Sequence, residues 1–467
     1  MTLRSRARRI AGAGLLAVLS LTVSAMTSDA QQGNGSNKLR ACADSDFTSP
    51  RLFDVLPLDL SGVMGIVPLG SANGHSHVVP VHVLYLYTPY TLGDDGRSLI
   101  PDQPNQLMRA PGDVTITGLR WEVNSGGDLI AGDDWYVNFR PCDEIRFTYH
   151  HLNEITGPPK LVARARQIRR GINAVCDYNS AGEAVACTGV TDVPVSGGDV
   201  IGTAFRLNQA GINLSVSDHR SPATNPAPPP GSAVDPARYE LTYEQILAFV
   251  TAAGQPIPRE FTPELYREMD PSRTHARCAI DYFEPALRAQ FEDLLGSFDG
   301  TTPRLVPPRC GQAFQDSLEG GLTGGWFPES LTTPFLLGGE DILTAFTYGP
   351  VLPGRMYFAI GTSVSPAMGG RVTTFPYPGV DDLTTFHNVS FNGARFLPAP
   401  PPAGQPVYCW DGLGSVTMIG GAASGSEPVS GTMLVQFASA TQMRFEYVPA
   451  GTCASRAFTS ASQVFVR

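Results

Sequence analysis

Short runs of alternating apolar and polar residues fill most of the chain. Val81–Tyr87, Val114–Val123, Trp135–Phe139 and Ile145–His150 are β-branched or aromatic, and GDDGRS, NSGG and AGDD separate them as turn chemistry. They predict a β domain over residues 40–220. SPATNPAPPPGSAVDP (221–236) then breaks the pattern and reads as an extended, proline-rich linker. Beyond it the period changes. TYEQILAFVTAAG (242–254) carries a Thr242/Gln245 capping box and a terminal Gly254. TPELYREMD (262–270) starts with Thr262 as cap and Pro263 at the first helical position, and EPALRAQFEDLLG (284–296) sets Leu287, Phe291, Leu294 and Leu295 on one face. Residues 237–310 are therefore expected to form a short helical connector. From 311 to 467, MYFAI, RVTTF, SVTMI, TMLVQF and MRFEYV recur between glycine-rich turns and predict an antiparallel β barrel or sandwich. The expected fold class is mainly β.

Composition adds a compartment. Arg4, Arg6, Arg8 and Arg9 precede the apolar run AGAGLLAVLSLTV, and small-residue cleavage sites follow at 23–25 and 28–30. Residues 1–30 are thus expected to be a signal peptide, and the product to be secreted or periplasmic in a bacterium. No later stretch approaches the roughly 18 apolar residues of a membrane helix. All eight cysteines lie beyond the leader and none forms a CxxC, so an oxidising compartment favours disulfides over a thiolate metal site. Nearest-neighbour pairing (Cys42–Cys142, Cys176–Cys187, Cys278–Cys310, Cys409–Cys453) is topologically simplest among the connectivities that eight cysteines allow. The net charge of −10 becomes −13 without the leader's four arginines and one aspartate. An acidic chain with no basic cluster is not expected to bind nucleic acid.

The candidate chemistry is histidine. Six of the eight histidines (His75, His77, His82, His150, His151, His219) fall in the first β domain. On a strand His75 and His77 share a face, the spacing that lets two imidazoles meet one metal ion. No GxSxG, HExxH or P-loop is present, so serine-hydrolase, thermolysin-like and nucleotide-binding readings lack support. The acidic GDDG (93–96), GDD (132–134) and VDD (380–382) read as turns rather than calcium loops.

The order of SANGHSHVVPVHVLYLY (71–87), DVTITGLRWEVNSGGD (113–128), YVNFRPCDEIRFTYHHL (136–152), GGDVIGTA (197–204) and GINLSVSD (211–218) resembles the lysostaphin-type zinc endopeptidases of bacterial cell walls. The likeness covers residues 57–220. Tyr149, His150, His151 and Leu152 resemble that family's "Y.HL" element, and Gly198 to Gly202 its "Gd.vG" element. The resemblance implies a catalytic role at His150 and His151. It places zinc ligands in the first histidine segment and on the closing strand. Because the closing strand departs from the family, the candidate metal ligands are His75, His77, His82 and Asp218, which together with His150 make up the rearranged set that an active enzyme would use. Two departures bear on that implication. Asn213 and Ser215 stand where the family carries paired histidines, and Val79 and Val81 stand where it has an aspartate four residues after its first histidine.

An amide and a hydroxyl are poor zinc donors, and the family's hydrolysis depends on the metal to activate water. The expectation is an exported cell-envelope protein with a degenerate, non-catalytic metallopeptidase-like domain. It would act in binding or scaffolding, with peptidoglycan or an envelope protein as partner and no cofactor. The alternative is an active zinc endopeptidase with a rearranged ligand set. A third reading is a small-ligand carrier built on the C-terminal barrel.

Overall fold

Alternation along the strands sets one face of a large sheet against an apolar core and leaves the other polar. The computed structural model describes residues 39–43, 52–71, 81–92, 94, 99–123, 132–179, 181–206, 210–220, 242–252, 257–269, 275–297, 300, 310–311, 324–329, 344–348, 355–361, 386–392, 407–410, 413–419, 422–429, 431–439, 441–449, 451–455 and 457–466. The leader, the linker 221–236, RVTTF (371–375), His75 and His77 lie outside the described residues.

In chain order the N-terminal half contains β1 (Gly65–Val67), β2 (Leu84–Tyr87), β3 (Tyr90–Leu92), β4 (Leu99–Pro101), β5 (Gln106–Arg109), β6 (Val114–Val123), β7 (Asp133–Cys142), β8 (Ile145–Ile155), α1 (Pro159–Arg169), β9 (Val175–Tyr178), β10 (Ala184–Val195), β11 (Val200–Ala204) and β12 (Gly211–Asp218). The connector contributes α2 (Tyr243–Ala252), α3 (Pro263–Met269), β13 (Ala276–Arg277) and α4 (Pro285–Glu292). Eleven strands form one sheet in the order β1-β2-β12-β8-β7-β6-β10-β9, with β11 beside β8 and β5, and β13 beside β12. The connector is thereby built into the first sheet through β13.

The C-terminal half contains β14 (Gly324–Pro328), β15 (Thr344–Tyr348), β16 (Arg355–Gly361), β17 (Phe386–Asn392), β18 (Tyr408–Trp410), β19 (Leu413–Ile419), β20 (Ala422–Val429), β21 (Thr432–Ser439), β22 (Gln442–Val448) and β23 (Gln463–Val466). They form a ten-stranded antiparallel sheet. Buried Trp326, Phe346, Phe437, Phe445 and Phe465 line its core, with ring centroids 5.9–6.2 Å apart in the pairs Phe445–Phe465, Phe346–Phe445 and Trp326–Phe437. The chain is mainly β, as the alternation predicts.

The four nearest-neighbour disulfides are all formed, with Cα separations of 5.0, 4.0, 5.9 and 5.6 Å in chain order. Among the described residues no helix is long and apolar enough to cross a membrane. The capping box and the Thr262 cap work as read. Thr242 and Gln245 exchange side-chain and backbone bonds at 2.7 and 3.2 Å, and Thr262 Oγ1 accepts the Leu265 amide at 3.2 Å. Helix α1 is an addition that the strand pattern of 40–220 hides. It opens on Pro159 at its first turn and buries Leu161, Ala165 and Ile168 against the sheet.

Candidate functional site

On β7, Trp135, Val137 and Phe139 point into the core while Asp134, Tyr136, Asn138 and Arg140 alternate with them; β8 repeats this with Phe147 and Tyr149 against Arg146, Thr148 and His150. On β12, Ile212, Leu214 and Val216 are core, and Asn213, Ser215 and Ser217 take the polar face. The core beneath is aromatic, with Phe53–Phe147 at 4.8 Å and Phe139–Tyr149 at 4.7 Å. The Tyr149 hydroxyl donates to the Arg109 carbonyl at 3.0 Å, and burial pushes that phenol well above its ordinary value.

Strand register aligns one transverse row over seven strands. Val67, Tyr85, Asn213, His150, Tyr136, Arg120 and Thr188 are successive cross-strand partners from β1 to β10. Directly opposed residues in such a ladder sit close enough for their side chains to meet. Asn213, on the closing strand of the resemblance, thus faces His150.

One end of this polar face is sealed by α3. Glu268 Oε1 accepts from Arg140 Nε at 2.9 Å, and both side chains are 5% exposed. The last-turn carbonyls of α3 are satisfied by the sheet, since Arg140 and Arg146 donate to Arg267 O at 3.2 and 2.7 Å and Asn138 donates to Glu268 O at 2.9 Å. Arginines at a helix C-terminus answer both its orphan acceptors and its partial negative charge. Gly118 on β6 makes room, because a Cβ there would lie 2.7–2.9 Å from Glu268 side-chain atoms. Burial pulls Arg140 below its ordinary value, against the opposing pull of Glu268.

The other end carries the histidines. Trp135 pairs with Leu152 and Tyr136 with His150, so the register skips His151. His151 is the extra residue of a β-bulge and adopts φ +73°, a left-handed conformation that costs a non-glycine residue about 1–2 kcal/mol. The bulge is what brings two consecutive side chains together. The His150 and His151 rings stack at 3.4 Å, and Tyr136 stacks on His150 at 3.4 Å.

His151 Nδ1 lies 2.8 Å from Asp134 Oδ2, while His150 Nε2 is 3.9 Å from that oxygen and 3.8 Å from Glu122 Oε1. His150 Nδ1 is 3.2 Å from Asn213 Nδ2. Glu122 is held in turn by Arg120 Nε at 3.2 Å and the Tyr136 hydroxyl at 3.4 Å. Asp134 is almost wholly buried, and His150 and His151 are 15% and 26% exposed. Burial pushes the Asp134 carboxyl up, but His151 and then His150 outweigh it and leave the group below its ordinary value. Burial, reinforced by Glu122, pushes Tyr136 well above its ordinary value.

The structure therefore brings His150 and His151 together, and adds Asp134, Glu122 and Tyr136, which the sequence did not single out. GDD (132–134) is not simply a turn, since Asp133 and Asp134 open β7. His82 sits just ahead of β2 and is partly buried. Asp218 is five residues along β12 from Asn213, a distance of roughly 17 Å at strand rise. There its carboxylate binds Arg220 at 2.9 and 2.6 Å and the Tyr282 hydroxyl at 2.7 Å, which separates it from the histidine cluster. No protein-family model, curated protein or solved structure matches the chain.

Proposed function

We propose that the protein is an exported cell-envelope binding or scaffolding protein, and that the histidine end of the polar sheet face is its non-catalytic contact surface. The single observation that carries this reading is Asn213. It faces His150 across β12 and β8, and an amide stands there where the lysostaphin-type resemblance calls for imidazole. An amide is a poor zinc donor and cannot replace imidazole as a ligand. Four disulfides and the leader-like first thirty residues support an oxidising location outside the cytoplasm. The partly exposed set of Tyr136, His150, His151, Glu122 and Arg120 gathers aromatic rings with hydrogen-bonding groups of both kinds, which suits a polar polymer such as peptidoglycan.

Co-sedimentation of the full chain with purified peptidoglycan tests the proposal. The wild-type protein should pellet with the polymer, and His150→Ala together with Arg120→Ala should release it to the supernatant. Equal pelleting of wild type and double variant would place the contact elsewhere, and no pelleting would remove peptidoglycan as the partner.

The active-peptidase alternative draws on the proximity of two imidazoles and a carboxylate. It needs a group left over to act on substrate, and both oxygens of the nearby Glu122 already accept from Arg120 and Tyr136.

A further inference from the structure

We infer that Asp134, His150 and His151 form a binding site for a divalent transition-metal ion, with a ligand set different from the one the peptidase resemblance implies. One donor atom from each of the three residues lies within 4.8 Å of the others. Zinc bound at about 2.0–2.2 Å to nitrogen and oxygen holds neighbouring donors about 3.3 Å apart in a tetrahedron. The His151 Nδ1 to Asp134 Oδ2 contact at 2.8 Å would open slightly, and the His150 Nε2 to Asp134 Oδ2 separation at 3.9 Å would close slightly. Both imidazoles would also rotate out of their stack, so that their lone pairs converge. Two imidazoles and one carboxylate suit zinc, cobalt or nickel better than calcium or magnesium.

Two independent features point the same way. The first is the bulge, because a left-handed histidine is an outlier whose cost the local fold maintains, and its effect is to aim a second imidazole at Asp134. The second is Asn213, 6% exposed, whose Oδ1 is buried without a hydrogen-bond partner. Turning the amide over sets that oxygen against His150 Nδ1, where it accepts the ring proton and leaves Nε2 to face an ion. Asn213 is then the positioning partner that a metal-bound histidine requires. With His150 and His151 both committed as ligands and Glu122 held by Arg120 and Tyr136, the ion fixes the bulge and offers an open position to a bound partner.

The test uses the full, disulfide-bonded chain, stripped with chelator and then titrated with Zn²⁺ and, for its visible absorption, Co²⁺. Wild type should take up one ion and show intense Co²⁺ bands. Asp134→Asn and His151→Gly should each weaken binding at least tenfold. His151→Gly relieves the left-handed backbone, so its metal-free melting temperature reports that the fold is intact, and isosteric Asp134→Asn provides a second check. Asn213→Ala should weaken binding by about 10- to 100-fold, the usual effect of losing such a support. A His75→Ala/His77→Ala variant should bind as wild type does. No uptake by wild type, or uptake abolished by the His75/His77 change and untouched by Asp134→Asn and His151→Gly, overturns the inference. None of these outcomes depends on whether the protein pellets with peptidoglycan.

Discussion

Strand β12 runs from one kind of polar environment to another. At its Asp218 end and along the neighbouring stretch of β7 and β8, every charge has a fixed partner. Asp218 is clasped by Arg220 and Tyr282, and Arg140 by Glu268 under α3. At its Asn213 end, roughly 17 Å along the same strand by strand rise, the charged groups crowd together around a bulge and stay partly open to solvent. The first arrangement satisfies buried charge and holds the connector to the sheet. The second keeps two imidazoles and a buried carboxylate in contact at a backbone cost, the arrangement on which the proposed binding rests.

The sharpest way to break this contrast is at the sealed end. Glu268→Ala leaves Arg140 buried without its partner, and chemical denaturation should show a loss of about 3–5 kcal/mol. A loss below about 1 kcal/mol would mean that α3 covers the sheet without stabilising it. Asp218→Asn should cost about 2 kcal/mol at neutral pH through its charged hydrogen bonds.

That second effect has a definite pH signature. Burial pushes the Asp218 carboxyl up, but the hydrogen bonds from Arg220 and Tyr282 outweigh it and leave the group below its ordinary 3.8. A depressed carboxyl contributes stability above its unfolded value and loses it as pH falls through its folded one. The gap between wild type and Asp218→Asn should therefore be full at neutral pH and close below about pH 3.8, in thermal melts followed by circular dichroism. The same variant should leave metal uptake unchanged. The smallest effect belongs to the open end, where His151→Gly trades the Asp134 contact for an unstrained backbone. Its metal-free stability should stay within about 1 kcal/mol of wild type.

Much of the scaffold was legible. Val114–Val123 is β6 from end to end, the Thr242/Gln245 and Thr262 caps start their helices, and simple cysteine pairing holds throughout. Helix α1 escaped because PKLVARARQIR carries four basic residues and buries only Leu161, Ala165 and Ile168, a thin stripe among strands. Their spacing of four and three was the available signal. The site was half legible. Tyr149–Leu152 drew attention to His150 and His151, but period-two alternation puts consecutive side chains on opposite faces. The bulge that reunites them depends on the register of β7, which no local pattern encodes. Asp134 was hidden for a related reason: a carboxylate in Gly-Asp-Asp reads as turn chemistry until the next strand fixes the face it points to.

The central claim is that the open end of the row binds and does not hydrolyse. Release of soluble fragments from purified peptidoglycan, followed with the full chain in excess and Zn²⁺ supplied, tests it most directly. The account predicts no release above the protein-free control, for wild type and for His150→Ala alike. Zinc-dependent release by wild type that His150→Ala abolishes would contradict it.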